Sequence, residues 1–257
     1  MHMGNISGIS GNGYQDYGRF ASGKAINSAA DGASELTMIQ KQESQSRGYD
    51  AGAENIGSAQ DMLKVADGAL GSITDYLQRI RELAVKASNT AVLSTEDIQS
   101  IQKEVDQMKQ GIADVAETTE FNGNKLLDGS KKDFQIATGA DGSMNRISMG
   151  AATLEALGIK DFDVTKDFDL DDIDKAIDKV SSLRSDAGAK SNALDYAYNS
   201  NRQASFDSVS ARSRVEDLDF AEAVTEKKKK ETLQEYALFM QKKKMEDEAI
   251  KVRNFFA

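Results

Sequence analysis

The chain has 257 residues, a formal net charge of −10, and no proline, cysteine or tryptophan. This length allows one or two compact domains or one elongated bundle, and the lack of proline permits very long helices. The lack of cysteine excludes disulfides and Cys-based zinc sites. The negative charge argues against nucleic acid as a partner, because the phosphate backbone would be repelled.

The amino-terminal segment, residues 1–25, is rich in Gly, Ser and Asn and has no apolar period. Such a composition predicts a segment without stable structure of its own. The start of the chain has neither the cationic and apolar regions of a signal peptide nor the apolar run of a membrane span. We therefore expect no membrane span, and any export by a route that does not read a signal peptide.

From residue 56 to residue 87, apolar residues alternate at spacings of three and four. A seam sustained for more than four heptads is typical of a coiled coil rather than of a general amphipathic helix. This first seam consists of Ile56, Ala59, Leu63, Ala66, Leu70, Ile73, Leu77, Ile80, Ala84 and Ala87.

A short polar loop separates this helix from a second one. Ser94 is a suitable N-cap for the second helix, and Glu96 and Asp97 follow in its first turn, where acids complement the helix dipole. Two seamed helices joined by a short loop should pack antiparallel, because neither buries its stripe alone. The second seam consists of Ile98, Ile101, Val105, Met108, Ile112 and Val115.

After this helix the period changes. The stretches "FQIAT" and "RISM" alternate around "GADG" (Gly139 to Gly142), which predicts a small β-hairpin. The following stretch, Asp161 to Lys175, is dense in acids. It lacks the glycine and the distal glutamate of an EF-hand loop, so an acid-rich helix start is favoured over a calcium site.

A third apolar stripe begins with Leu170, Ile173, Ile177 and Val180, and no proline follows it. We predict a very long helix, broken once, that returns along the first two. The fold class is therefore mainly α, an elongated antiparallel coiled-coil rod with a small β-hairpin region.

The last segment, residues 227–257, carries nine Lys or Arg and five Asp or Glu. Its lysine runs indicate either a solvated helix surface or contact with anionic lipid or nucleic acid.

The sequence offers few residues that could form a catalytic or metal site. The only histidine is His2, so no His-based triad, general base or zinc site can be built. No phosphate-binding glycine loop occurs. We expect no catalytic residues, no metal and no cofactor, and the sequence favours a structural protein over an enzyme.

The ordered set of motifs resembles the bacterial flagellin family over most of the chain. Single pieces such as "FNG" are weak, whereas the set in this order is highly specific. The matching segments are "SGKAINSAADGAS" (Ser22 to Ser34), "ADGALGSITDYLQRIRELAVKASN" (Ala66 to Asn89), "DIQSIQKEVDQMKQGIADVAETTEFNGNKLLDG" (Asp97 to Gly129), "RSDAGAKSNALDYA", and "SARSRVEDLDFAEAV" (Ser210 to Val224).

The resemblance implies a secreted structural subunit of the bacterial flagellar filament, which serves motility. It implies as partners other copies of the chain, a flagellar export chaperone on the carboxy-terminal segment, and the host Toll-like receptor for flagellin. The implied divisions are an inner-domain or disordered segment (1–25), amino-terminal rod helices (26–127), a hairpin and short variable region (128–169), a carboxy-terminal rod helix (170–225), and an inner-domain helix (226–257).

Both ends depart from the family pattern: the start is short and glycine-rich, and the tail is far more charged than usual. Two alternatives therefore stay open. One is a secreted flagellin-like protein that polymerises poorly and acts as a receptor ligand. The other is the related hook–filament junction protein.

The stretch "LQRIRELAVKASN" (Leu77 to Asn89) carries charged residues off the first seam. Asp75 with Arg79, and Glu82 with Lys86, are spaced i,i+4 with the acid first, which predicts two stabilising ion pairs. On this pattern alone the charged side is a solvated helix face.

Leu83 also lies off the seam, and with Tyr76 and Arg79 it predicts an exposed or second-interface stripe. An exposed leucine beside arginine and tyrosine is typical of an interface hot spot. By resemblance, Arg79, Leu83 and Glu104 match the positions that carry recognition by the Toll-like receptor. The predicted receptor or protofilament contact set is Tyr76, Arg79, Glu82, Leu83, Lys86 and Glu104.

Overall fold

The computed structural model describes residues 17–89 and 91–255, except for the side chains of residues 252, 254 and 255. The mainly α fold is confirmed, with long helices and two small antiparallel sheets in the described part of the chain. The elements in chain order are α1 (Ala33–Ala87), α2 (Thr95–Thr118), β1 (Glu120–Phe121), β2 (Asn124–Lys125), β3 (Asp133–Ala137), β4 (Met144–Ser148), α3 (Leu154–Leu157), α4 (Leu170–Glu216) and α5 (Phe220–Phe255).

The chain divides into two compact units. The terminal unit comprises Met1–Ser44 and Asp207–Ala257, and the central unit comprises Gln45–Phe206. Helices α1 and α4 contribute residues to both units. None of the helices within the described ranges is long and apolar enough to cross a membrane.

The core of the central unit is built on the first seam. Every one of its ten residues is at most 3% exposed. From the second seam, Ile101, Val105 and Ile112 are buried, and Ile98, Met108 and Val115 pack against the same core. Helix α4 adds Ile173 and Val180. Because side chains of both α2 and α4 pack against α1, the buried surface of α1 extends over more than one side of the helix.

Helix α4 runs antiparallel to α1 within the central unit. Polar pairs between the two helices descend along α1 as they ascend along α4, which fixes this direction. The pairs and their N–O distances are Arg81–Asp174 (2.6 Å), Arg184–Asp67 (2.8 Å) and Arg202–Asp50 (3.1 Å).

Helix α2 begins where the sequence places it. The Ser94 hydroxyl accepts from the Asp97 N–H, and the Asp97 carboxylate accepts from the Ser94 N–H, which completes a capping box. The predicted N-cap is therefore confirmed.

One β-hairpin is confirmed and a second one is new. Strands β3 and β4 pair antiparallel, with Phe134 opposite Ile147, in the region predicted to alternate. Strands β1 and β2 form a tighter hairpin around Asn122 and Gly123, whose φ angles are 48° and 74°. An Asn-Gly pair with positive φ at both residues is the sequence signal of a two-residue hairpin turn.

The acid-rich segment is a loop followed by a helix start. Helix α4 begins at Leu170 with Asp171 and Asp172 in its first turn, as the dipole favours. In the loop, hydrogen bonds from Thr165 and Lys166 lower the pKa of Asp163 to about 2. Within residues 17–89 and 91–255, no group of three or more His, Asp or Glu side chains is placed to hold a metal ion.

The terminal unit orders part of the amino-terminal segment. Residues 17–22 are helical, and the Phe20 ring lies 6.0 Å from the Phe220 ring of α5. Lys24 forms a β-bridge with Asp217 at the break between α4 and α5. Residues 17–25 are therefore ordered by contacts with the carboxy-terminal part of the same chain, and the prediction that they lack stable structure of their own stays a prediction. Residues 1–16 lie outside the described residues.

The long returning helix is broken once, at residues 217–219, as predicted. Asp219 accepts hydrogen bonds from the backbone N–H groups of Ala221 and Glu222, so it caps the start of α5. The break lies a few residues before the division expected between residues 225 and 226.

The loop that joins β3 to β4 rests on a glycine face of α1. A Cβ on Gly52 would lie 2.4 Å from the Thr138 carbonyl oxygen, and a Cβ on Gly48 would lie 2.9 Å from Ala140 Cα. The Asn55 amide donates to the Ala137 carbonyl (3.0 Å). Glycines spaced i,i+4 thus allow the loop backbone to contact the helix backbone directly.

We predict that Gly52→Ala lowers the free energy of unfolding by about 1–3 kcal/mol, because the new methyl group overlaps a backbone carbonyl that cannot move aside easily. Gly57→Ala is the matched control, since a Cβ there meets nothing within 4 Å. In the control, alanine should leave the stability unchanged or raise it by about 0.5–1 kcal/mol. Urea denaturation followed by circular dichroism distinguishes the two, and equal midpoints would refute the docking contact.

Candidate interaction surface

The predicted contact residues lie where α1 and α2 run side by side in the central unit. Arg79, Glu82 and Lys86 project from successive turns of α1, and Glu104 projects from α2. Arg79 is 48% exposed and Glu104 is 39% exposed, so both reach solvent. We call the exposed group Arg79, Glu82 and Glu104 the arginine triad.

Two carboxylates from two helices hold the guanidinium of Arg79. Its Nε and Nη2 atoms donate to Glu104 Oε1 at 2.9 and 2.6 Å, and its Nη1 atom donates to Glu82 Oε2 at 2.9 Å. The hydrogen bonds that Arg79 donates to Glu104, and then the one it donates to Glu82, raise the pKa of Arg79 above its ordinary value. Each terminal nitrogen keeps one N–H group, so the guanidinium can still donate to a partner in a fixed direction.

The predicted ion pairs along α1 are wrong. Arg79 pairs with Glu82 and Glu104 rather than with Asp75, and Glu82 pairs with Arg79 rather than with Lys86. The reason is that an antiparallel neighbour offers a carboxylate at hydrogen-bonding distance, which the spacing rule for an isolated helix does not consider. Lys86 is exposed. After the hydrogen bonds from Ser94, its charge also helps to lower the pKa of Asp97.

The predicted exposure of Leu83 is wrong. Leu83 is only 3% exposed and belongs to the same buried cluster as Ile80 and Val105. The seam rule assumes one facing helix, whereas α1 contacts both α2 and α4, so its buried sector is wider than the heptad stripe. The Leu83 side chain lies in the core below Arg79 and Glu104, so a binding partner would not contact it.

Tyr76 is half-buried rather than exposed. Its ring lies against Gly111 of α2, where an added Cβ would be 2.8 Å from Tyr76 Cζ. Sequence reasoning missed Gly111. The available signal was a glycine inside a strongly periodic helix, which often has a packing reason.

The surface therefore combines a fixed cation, two carboxylates and a buried apolar floor. Both carboxylates are ion-paired with Arg79, so the surface presents charged hydrogen-bonding groups to solvent. A rigid charged group on a packed helical scaffold is well suited to bind a partner protein with a defined orientation.

A second exposed feature lies on α5. Its large apolar side chains are mostly in contact with solvent, and Leu233, Tyr236 and Phe239 are 58%, 61% and 62% exposed. Lysines 227–230 and 242–244 flank this apolar patch in sequence. An exposed apolar group of this size is typical of a segment that binds a partner.

The chain matches two sequence profiles of one family. The profile of the bacterial flagellin N-terminal helical region matches residues 5–132, and that of the bacterial flagellin C-terminal helical region matches residues 170–246. The two matched ranges include α1, α2, all of α4 and most of α5.

Individual relatives agree with these profiles. Flagellin of Bacillus subtilis (strain 168) is 34% identical, with 81% of each chain covered. The flagellar filament 33 kDa core protein of Treponema phagedenis is 32% identical, covering 84% of this chain and 82% of the relative. The crystal structure of Bacillus cereus flagellin superposes with a TM-score of 0.52 at 30% identity, covering 58% of this chain and 88% of that chain.

Proposed function

This chain belongs to the bacterial flagellin family, and we propose that its monomer, besides building the filament, is a ligand of the host Toll-like receptor for flagellin. The filament role is that of a structural subunit of the flagellar filament. The receptor role is a proposal, carried by the arginine triad on the exposed side of α1 and α2.

The geometry of the triad supports this proposal. A guanidinium fixed by three hydrogen bonds loses little side-chain entropy on binding, which favours affinity. The floor beneath it is packed, since Leu83 and Val105 are buried, so the charged group is presented on a rigid surface. Arginine is enriched among the residues that dominate binding energy at protein interfaces.

We predict that Arg79→Ala weakens binding of the monomer to the receptor ectodomain by about tenfold or more, as expected for a hot-spot arginine. Surface plasmon resonance with the purified ectodomain measures this directly. Lys64→Ala is the matched control, because Lys64 is also an exposed, ion-paired cation of α1. Equal affinities for both variants and the unsubstituted protein would exclude the assignment.

We expect Arg79→Ala to change receptor affinity without a large change in the stability of the monomer. Arg79 makes only solvent-exposed ion pairs, and such pairs contribute about 0–1 kcal/mol each. Leu83→Ala is a poor test by contrast, because emptying a buried leucine site costs about 2–5 kcal/mol of stability. A loss of binding in that variant would report on folding as much as on contact.

We also propose that the carboxy-terminal segment, residues 226–257, binds a flagellar export chaperone before the chain is secreted. The exposed Leu233, Tyr236 and Phe239 of α5 support this, because they find no cover within the described part of the chain. A chaperone that shields them would prevent premature association of copies. The extracellular flagellum is the destination that this proposal implies, with secretion through the flagellar apparatus.

For the chaperone, we predict that the double variant Leu233→Ala/Tyr236→Ala loses at least about tenfold in affinity, because both side chains belong to the central apolar patch. Isothermal titration calorimetry with the chaperone from the same bacterium gives the value. Phe206→Ala is the control, since Phe206 is 66% exposed and lies outside the segment. Retained affinity in the double variant, or an equal loss in the control, would contradict the proposal.

We propose no enzymatic activity and no cofactor for this chain. The family is one of structural proteins, and the two carboxylates of the exposed surface described above are ion-paired with Arg79. The same reading leaves nucleic acid outside the expected partners, given the formal net charge of −10.

A further inference from the structure

The ring of Tyr76 on α1 lies against Gly111 of α2 at this surface. A Cβ added to Gly111 would lie 2.8 Å from Tyr76 Cζ and 3.1 Å from both Cε atoms. The ring thus occupies the space that any other residue's side chain would need. Real Cβ contacts are not this short, so a non-glycine residue would force the ring or the helix to move.

The neighbouring core does not offer an easy adjustment. Ile80 follows Tyr76 by about one turn of α1 and is fully buried, and Ile112 follows Gly111 and is fully buried. Close-packed interiors resist small displacements, because side chains interdigitate with few voids. Buried side chains of α1 and α2 thus lie beside the contact between the ring and the glycine.

The arginine triad depends on the same spacing. Arg79 lies three residues after Tyr76 on α1, and Glu104 lies seven residues before Gly111 on the antiparallel α2. Two nitrogens of Arg79 converge on one oxygen of Glu104 at 2.9 and 2.6 Å. Hydrogen bonds weaken when the distance or angle departs from a narrow range, so a wider spacing of the helices would loosen this pair first.

The glycines of α1 fall into two groups. A Cβ on Gly57 would meet nothing within 4 Å, whereas a Cβ on Gly52 would meet the backbone of the loop between β3 and β4. Gly111 of α2 belongs with the close-contact positions, because a Cβ there would require the Tyr76 ring to move. The contact with Tyr76 is thus a feature of particular glycines and not a general property of glycines in these helices.

We propose that Tyr76 and Gly111 are positioning residues for the recognition surface: the Tyr76 ring seated on Gly111 sets the spacing of α1 and α2 at which Glu104 holds Arg79 in its binding orientation. The biological meaning of this inference rests on the proposed receptor function. The geometric effect on Arg79 is independent of any receptor.

The first measurement is the Nε–Hε resonance of Arg79 in the nitrogen–proton NMR spectrum of the full chain. Glu104→Gln gives the reference for a weakened pair. The proposal expects Gly111→Ala to shift the Arg79 signal toward that reference, and Gly57→Ala and Tyr76→Phe to leave it in place. An unshifted signal in Gly111→Ala would overturn the proposal.

Tyr76→Ala is a second variant, which removes the ring without adding volume to α2 and serves if Gly111→Ala folds poorly. It too should shift the Arg79 signal. A signal equal to that of the unsubstituted protein in Tyr76→Ala would overturn the positioning role, because the ring would then be unnecessary for the pair.

The second measurement is affinity for the purified receptor ectodomain. Gly111→Ala and Glu104→Gln should each weaken binding by a similar factor, about three- to tenfold, and the double variant should be no weaker than either alone. Such non-additivity is expected when two changes act through one interaction. Factors that multiply in the double variant would overturn the link between Gly111 and the pair.

The two proposals fail separately. A shifted Arg79 signal with unchanged affinity in Gly111→Ala, Glu104→Gln and Arg79→Ala would support the positioning contact and overturn the receptor assignment. Reduced affinity in Gly111→Ala with an unshifted Arg79 signal would overturn the positioning contact and leave the receptor assignment supported by Arg79→Ala.

Discussion

Burial of the first apolar seam of α1 is the constraint on which the central unit depends. Ten residues of one helix lose nearly all contact with water. Each buried leucine or isoleucine of the seam contributes roughly 1.5–3 kcal/mol relative to exposure, which exceeds the contribution of an exposed ion pair at about 0–1 kcal/mol. The helices α2 and α4 and the two hairpins are best understood as the cover that this seam requires.

The ion pairs between helices determine how α4 is oriented against α1 more than they stabilise the fold. The pairs from Arg81, Arg184 and Arg202 to acids of the neighbouring helix are all partly exposed. Their value lies in direction and register, since a shifted α4 would separate these oppositely charged partners. The arginine triad on the other flank of α1 uses the same kind of contact, but it leaves donor groups free for a partner.

Much of this fold could be predicted from the sequence, because local rules governed it. The seam follows from heptad spacing, the start of α2 from Ser94 and Asp97, and the hairpin from alternation around a glycine turn. Leu83 shows where such reasoning fails. Heptad spacing describes one facing helix, and only the tertiary structure reveals that a second neighbour widens the buried sector.

The candidate site was harder to predict for the same reason. Arg79 and Glu104 were identified from resemblance and Glu82 from its spacing along α1. The hydrogen bonds between Arg79 and Glu104 depend on a neighbouring helix whose register no local pattern specifies. Gly111 and the docking glycine Gly52 were visible only as helix-weakening residues. Only the tertiary structure shows that Gly111 makes room for the Tyr76 ring and that Gly52 makes room for the Thr138 carbonyl.

Hydrogen–deuterium exchange of the intact monomer tests the central role of the α1 seam most directly. Amides of α1 and α4 within the central unit, together with α2, should exchange at one slow, common rate, since no part of this unit opens without exposing the seam. Amides of α5 should exchange much faster, because its apolar side chains are exposed. Independent rates along α1, or protection of α5 equal to that of α1, would contradict the account.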